Sequence, residues 1–589
     1  MRLGILLLGA ILLASALGGC VDSGSETSAE RGAAKLRGAG GSSPAVFPGA
    51  YKFDGRFSQV LVPGIFKVLP QEEVFIKSKI DGKDIQFVNW RPDVPEGVKV
   101  PVIIQASPYY NDVQMLSGLG LFITNNFVPH GYVYTQMAIR GTGDAGGCDD
   151  FRGPHMVGDM SQGIDWLATQ PWSNGNVTLI GISYVGTTPW YAAGSGNPAI
   201  KTIVPISGST NAWEVYNRNG SAESRSPIIV ANYLTSSLTL SDRTPQHKLD
   251  NIPCPETWQA AAIGAFSGVT GEKDPFRAWW DERNVKPKIE KNYKGSIFVI
   301  HGFEDWNVDP AIVFPWADEL NKTFGLPVKS LVGQWQHTYP DASANAKLKR
   351  WDWAEQLLHW FDYYLKGQTQ VDLGPAVQVQ DNQMRWRNEE NYPPRDANWT
   401  TLHLAAGARL NPTPGSAGSV ELAPVVANND VMKSDPAPVR TSADFVYGPL
   451  ANDLRISGLP RVHVTVTPHE PGGYIGAWLY DRDPASGSER RIGWTSMSLR
   501  YHDGGDKPMT VVPNTPIVAK MEIQPMDANL PAGHQLVLRV WVNTHSDRIP
   551  SPPPAVMALN WGGSVKSILE LPVIERPIEA FFEPPQPGS

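Results

Sequence analysis

Between Lys99 and about Leu365 the chain returns six times to a short, near-continuous apolar run. The runs are Val100 to Ala106, Tyr132 to Ile139, Val177 to Ile180, Thr202 to Ile206, Ser296 to Ile300 and Lys329 to Val332. Runs of this length suit strands covered on both faces, as in a parallel sheet. Parallel neighbours need crossover connections, and helices between the runs supply them. Asp159 to Gln170, with Met160, Ile164, Trp166 and Leu167, is one such helix. Trp351 to Tyr364, closed by Lys366-Gly367, reads as the last. The expectation is an α/β, doubly wound sheet. One connection is out of scale, because Ser207 to Gly295 spans roughly 90 residues where a handful is usual. An insertion at about 209–295 is expected to form a helical lid over the C-terminal sheet edge, with helices near Pro227 to Leu238 and Glu256 to Phe266.

After Gly374 the pattern changes to period 2, with Val462, Val464 and Val466 sharing one face and Leu536, Leu538 and Val540 another. Further strands are expected at Gly476 to Tyr480, Ile517 to Ile523 and Ser567 to Val573. Frequent Pro and Gly between them point to a β-sandwich of the jelly-roll type. A chain of 589 residues exceeds one core, so the expected division is catalytic domain 47–370 and sandwich 371–589. The net charge of −8 argues against nucleic acid as a partner. No repeat of solenoid period is present.

The N-terminus reads as a targeting segment. Arg2 is followed by an apolar stretch from Leu3 to Leu17 that is short for a membrane span. It ends in Leu17-Gly18-Gly19-Cys20, which resembles a bacterial lipobox. That resemblance implies a signal peptide over 1–19, a diacylglyceryl group on Cys20 and an exported, membrane-anchored protein. Cleavage at a nearby small residue, giving a secreted protein, is the alternative. The polar, Ser/Gly/Ala-rich segment 20–46 is expected to be a flexible tether. In an exported protein the two remaining cysteines, Cys148 and Cys254, are candidates for a disulfide; two separate buried thiols are the other reading.

The chemistry centres on Thr178-Leu-Ile-Gly-Ile-Ser-Tyr-Val-Gly-Thr-Thr-Pro-Trp190. A strand ends at Gly181, Ser183 follows, and a helix can open at once. Such a turn exposes a hydroxyl to a base, and Gly181 and Gly186 relieve crowding around it. A serine nucleophile needs a histidine, and the histidine a carboxylate. Two strand ends supply them. His301-Gly-Phe-Glu-Asp-Trp-Asn-Val308 offers Asp305, with Glu304 as the alternative acid, and Gly333-Gln-Trp-Gln-His-Thr338 offers His337. His301 reads as a strand-end residue, and His130 and His155 lack the spacing of a metal site, so no metal or other cofactor is expected.

The elbow at Ser183, the Asp305-Trp-Asn307 segment and the late His337 together resemble the Xaa-Pro dipeptidyl-peptidases and the related cocaine esterases and α-amino-acid ester hydrolases. Arg140-Gly141, Trp172-Ser-Asn-Gly-Asn-Val177, Ala212-Trp213 with Tyr216-Asn-Arg-Asn-Gly220, and Trp386 with Glu389, Glu390 and Pro393 extend the likeness over roughly residues 50–580. The resemblance implies an α/β-hydrolase followed by a jelly roll. It implies Ser183 as nucleophile, His337 as base and Asp305 as its orienter. The oxyanion hole would be the Tyr184 N–H and the Tyr109 hydroxyl, or Tyr110 if the register shifts by one. Trp213 and Asn307 resemble residues of the family's substrate pocket. The implied activity is release of Xaa-Pro dipeptides through an acyl-enzyme. Hydrolysis of esters or acylated amines is the alternative. A surface-binding lipoprotein with an inactive hydrolase domain is the non-enzymatic one. A dipeptidase needs an acid for the substrate ammonium, for which Glu214 and Glu223 are the candidates. The large N-terminal domain of some relatives has no counterpart here, which favours the esterase reading. Oligomeric state is not legible.

Overall fold

The computed structural model describes residues 64–110, 119–220, 254–257, 259–260, 277–343, 345–424, 440–505, 507–542, 555–577 and 581–584. Cys20, Glu223, the leader, the tether and the expected helix at Pro227 to Leu238 lie outside the described residues. So does most of the expected helix at Glu256 to Phe266; Pro255–Thr257 is a single described turn.

Each of the six apolar runs coincides with a strand. In chain order the first sheet contains β1 (Glu72–Lys77), β2 (Asp84–Trp90), β3 (Val100–Ser107), β4 (Val133–Ala138) and β5 (Ser173–Ile182). It continues with β6 (Ile200–Ile206), β7 (Ser296–Gly302), β8 (Val328–Gly333), β9 (Val377–Gln380) and β10 (Trp386–Glu389). The spatial order is β1-β2-β4-β3-β5-β6-β7-β8-β9-β10. Pairing is parallel from β4 through β9 and antiparallel at β1, β2 and β10.

Alternate residues of one strand feed two different cores, which is why these strands carry no polar face. On β3, Val102 and Ile104 join one cluster and Ile103 the other. On β7, Ile297 and Val299 face one way, Phe298 and Ile300 the other. The helix Pro154–Ala168 covers the first face with Met160, Ile164 and Leu167, and Trp353–Lys366 covers the second with Leu357, Leu358 and Phe361. Each fully buried aliphatic side chain contributes roughly 1.5–3 kcal/mol over its exposed state.

The second unit is a 13-stranded β assembly with its own core, the sandwich expected from the period-2 segments. Val462, Val464, Val466, Leu536, Leu538 and Val540 are all fully buried in it. β9 and β10, although beyond the expected boundary at 370, complete the first sheet, β9 pairing parallel with β8. These short strands carry Gln378, Gln380 and Arg387, so no apolar run marks them. A buried ionic cluster joins the sheet to the sandwich. Arg387 contacts Asp527 and donates to Glu389 at 2.7 Å, and Glu389 also receives Arg455 and Arg576. Four-way pairing of this kind offsets the desolvation that isolated buried charges would suffer.

Candidate active site

β5 ends at Ile182, and the helix Tyr184–Gly194 starts two residues later. Ser183 between them has φ 65° and ψ −124°, a strained conformation for a residue with a side chain. Its N–H donates to Ile206 O at 3.1 Å, locking the turn against β6. The glycines permit that approach. A Cβ on Gly181 would strike Val185, and one on Gly186 would strike the carbonyl of Ile206. Gly208, which sequence reasoning missed, is required too, since a Cβ there would strike the Gly186 carbonyl.

Asp305 and His337 follow β7 and β8. In parallel strands these ends share an edge with the end of β5, so residues far apart in sequence converge there. The two loops are zipped by backbone hydrogen bonds, Phe303 N–H to Gly333 O at 2.8 Å and Glu304 N–H to Trp335 O at 3.2 Å. His337 Nδ1 then donates to Asp305 Oδ2 at 2.8 Å. Asp305 is fully buried, and its Oδ1 accepts the N–H groups of Asn307 and Val308, each at 2.9 Å. Burial pushes the Asp305 carboxyl up. The charge and hydrogen bond of His337 outweigh that, and the carboxyl is held below its ordinary range. His337 Nε2 is buried and makes no hydrogen bond among the described residues, Ser183 included.

Neighbouring groups separate cleanly from this pair. His301 Nε2 donates to Val308 O at 2.8 Å, and burial lowers its pKa, so it is a neutral residue bracing the acid loop. The Glu304 carboxyl has no hydrogen bond to His337. Its pKa is raised by burial, against the pull of Arg491 and Arg490. His130 is buried with Nδ1 on Asn126 O, and His155 caps on Asp150 through its N–H. Among the described residues no three His, Cys, Asp or Glu gather as metal ligands.

The two tyrosine candidates differ. The Tyr110 hydroxyl donates to Gln105 O at 3.1 Å and is turned into the fold. Tyr109 is 41% exposed, and its ring lies edge-on to Tyr184 with centroids 6.3 Å apart, next to the serine turn. The Tyr184 N–H sits in the first turn of its helix, ahead of the first intrahelical bond from Thr187 N–H to Ser183 O at 2.9 Å. Asn307 is half-buried in the acid loop. Trp213 is buried edge-on to Trp280, with the Arg277 guanidinium 4.9 Å from its ring centroid. Glu214 is engaged by Lys286 at 3.1 Å.

Cys148 and Cys254 form a disulfide with Cα atoms 5.0 Å apart. Cys254 N–H also donates to Asp149 O at 3.0 Å, so the bridge ties the insertion to the loop after β4. Sequence reasoning missed Arg152 in that loop. It is buried, with φ 63°, and its guanidinium lies 4.6 Å from the Tyr184 ring centroid and close to the rings of Phe151 and Tyr216. Its only signal was the Gly/Asp-rich sequel to Arg140.

A nucleophile turn at the end of β5, followed in sequence by an acid and a histidine at the ends of β7 and β8, defines an α/β-hydrolase of the serine peptidase and esterase class. Residues 81–339 match the family model X-Pro dipeptidyl-peptidase (S15 family), and residues 369–557 match the X-Pro dipeptidyl-peptidase C-terminal non-catalytic domain. The chain belongs to the X-Pro dipeptidyl-peptidase (S15) family. A relative in Streptomyces avermitilis, provisionally named Xaa-Pro dipeptidyl-peptidase, is 26% identical over 573 residues, 82% of this chain and 80% of that protein. Among solved structures, an α-amino acid ester hydrolase covers 86% of this chain and 96% of its own, with TM-score 0.66 and 19% identity. A CocE/NonD family hydrolase from Staphylococcus aureus covers 86% and 94%, with TM-score 0.65 and 16% identity. These structures share the fold.

Proposed function

We propose that the protein cleaves Xaa-Pro dipeptides from peptide N-termini through an acyl-enzyme on Ser183. The observation that carries this is the 2.8 Å bond between His337 and Asp305 at the sheet edge shared with the strained Ser183 turn, in a chain of this family. His337 Nε2 takes the Ser183 proton as the hydroxyl attacks the carbonyl, then hands it to the leaving amine. A water deprotonated by the same nitrogen releases the acyl group. Asp305 keeps the proton on Nδ1, so that Nε2 remains the base. The Tyr184 N–H and Tyr109 hydroxyl stabilise the oxyanion. Trp213 and Asn307 bound the acyl side of the pocket.

One observation favours ester hydrolysis as a second reading. The ion pair with Lys286 occupies Glu214, a sequence candidate for holding a substrate ammonium. A panel of Gly-Pro and Ala-Pro anilides against aryl esters and β-lactam side-chain esters decides between them. The peptidase reading fails if only esters turn over. Fluorophosphonate labelling that Ser183→Ala abolishes is the expected companion result, and labelling that persists in the variant removes the nucleophile assignment. We propose also that Cys20 carries the lipid anchor. Cys20→Ala should move the protein from the membrane to the soluble fraction, and retention after a high-salt wash defeats that reading.

A further inference from the structure

A buried cation stands behind the serine turn, and the acyl-transfer steps above give it no task. The ring of Tyr184, the residue after Ser183, is fully buried. Its hydroxyl donates to Met156 Sδ at 3.4 Å, and Phe151 meets it edge-on with centroids 6.2 Å apart. The Arg152 guanidinium lies over the ring, 4.6 Å from its centroid. Tyr109 rests edge-on against the same ring at 6.3 Å. Tyr109 is itself exposed and belongs to the loop after β3, so the buried Tyr184 ring is the firm surface it leans on.

An uncommon backbone brings Arg152 to that ring. Phe151 has φ 47° and Arg152 φ 63°, both in the left-handed region that residues with side chains avoid. Successive side chains of an extended segment point apart. The left-handed turn instead delivers Phe151 and Arg152 to one ring. Neighbouring groups hold the turn. Arg283, fully buried, donates from Nε to Phe151 O at 2.9 Å and from Nη2 to Asp150 O at 2.7 Å. Phe151 N–H donates to Asp149 Oδ1 at 2.7 Å. Disfavoured backbone persists only where its surroundings over-determine it, and it gathers at active sites. A planar guanidinium on a desolvated ring is a strong contact that an aliphatic stem cannot replace.

We propose that Arg152 is a positioning residue for the oxyanion hole: its guanidinium fixes the Tyr184 ring, and that ring holds Tyr109 with its hydroxyl ready for the developing oxyanion. The inference rests on the Tyr109 assignment above and is indifferent to the choice of peptide over ester. A rival route exists in the same structure. Arg152 Nη1 donates to Ser209 Oγ at 3.4 Å, Ser209 N–H to Thr187 Oγ1 at 3.0 Å, and Thr187 Oγ1 to Ser183 O at 3.0 Å. Action along that route would bypass Tyr109.

The test is a double-mutant cycle on kcat and KM, using whichever substrate the unaltered protein turns over fastest. Arg152→Met keeps an unbranched stem and removes the cation. It should lower kcat about tenfold and leave KM within about twofold, the rate equivalent of a desolvated cation–π contact acting on the transition state. In a Tyr109→Phe background the same change should cost less than about twofold, because a positioned group that is absent cannot be mispositioned. Arg152→Lys keeps the charge without the planar fork and should lower kcat about threefold, with the same cancellation. It carries the cycle if circular dichroism shows Arg152→Met unfolded. Tyr109→Phe with unchanged kcat would remove the oxyanion assignment and this proposal together. If Tyr109→Phe is impaired and the Arg152 variants keep their full effect on top of it, this proposal alone is overturned and the Ser209 route is favoured. An Arg152 effect confined to KM, or absent from kcat, overturns it as well.

Discussion

Replacing Asp305 with Asn removes one charge and keeps the shape, and the structure dictates how the amide must sit. Oδ1 accepts two backbone N–H groups, from Asn307 and Val308, both at 2.9 Å. An amide NH2 in that position would face two donors in a fully buried site, at about 1–3 kcal/mol for each unmatched donor. The amide oxygen therefore takes the Oδ1 place, and the NH2 faces His337 Nδ1. That nitrogen can then only accept, so the ring proton moves to Nε2, the atom that must take the serine proton. The wrong tautomer of such a histidine costs on the order of 10⁴ in kcat, or about 5.5 kcal/mol, the loss known for the equivalent change in the chymotrypsin-type triad. The fold should hold, because both backbone bonds survive. Initial rates on whichever substrate the unaltered protein turns over fastest, with circular dichroism as the folding check, measure this directly. Glu304→Gln is the paired control and should stay within a few-fold. A folded Asp305→Asn variant keeping more than a tenth of the original kcat/KM, or a greater loss in Glu304→Gln, would show that the orienting role has been misassigned.

Tyr109→Phe should lower kcat by on the order of 10²-fold with little change in KM, since the hydroxyl acts when the oxyanion forms; unchanged kcat would remove Tyr109 from the hole. The Cys148–Cys254 bridge closes a separation of 106 residues that includes β5 and β6. Replacing both cysteines with Ser should cost up to about 4.7 kcal/mol in chemical denaturation on the chain-entropy argument, and a loss below about 1 kcal/mol would contradict it. Asp149 supplies the pH test. Burial first, then the Asp150 charge, raises its carboxyl to about 7 against its bond to Phe151 N–H and the pull of Arg283 and Arg140. With the folded pKa above the unfolded one, its contribution is complete below about pH 4 and is lost as pH rises towards 7. Asp149→Asn should therefore match the parent near pH 4 and exceed it by up to about 4 kcal/mol at pH 8, at 1.36 kcal/mol per unit. A difference that does not grow with pH refutes the assignment.

The sequence alone determined the six central strands of the sheet and offered the candidate residues at their ends. Continuous apolar runs can be satisfied only by strands covered on both faces, and each of the six became a strand. The Ser183 turn was legible because its glycines answer a local steric demand: Gly181 and Gly186 contact residues only a few positions away or on the next strand. Tertiary structure decided everything that depended on which side chains meet. β10 carries Arg387 and Glu389 because their charges are matched across the domain boundary, by Asp527 and Arg455 from the sandwich, and no local pattern announces such partners. Only the likeness in register favoured Tyr109 over Tyr110 in the sequence; in the fold the carbonyl of Gln105 takes the Tyr110 hydroxyl and the Tyr109 ring lies beside the Ser183 turn. Arg152 reached Tyr184 for the same reason. A backbone carries its own conformational preferences in short stretches of sequence, whereas the partner of a buried charge or ring is set by how distant segments pack.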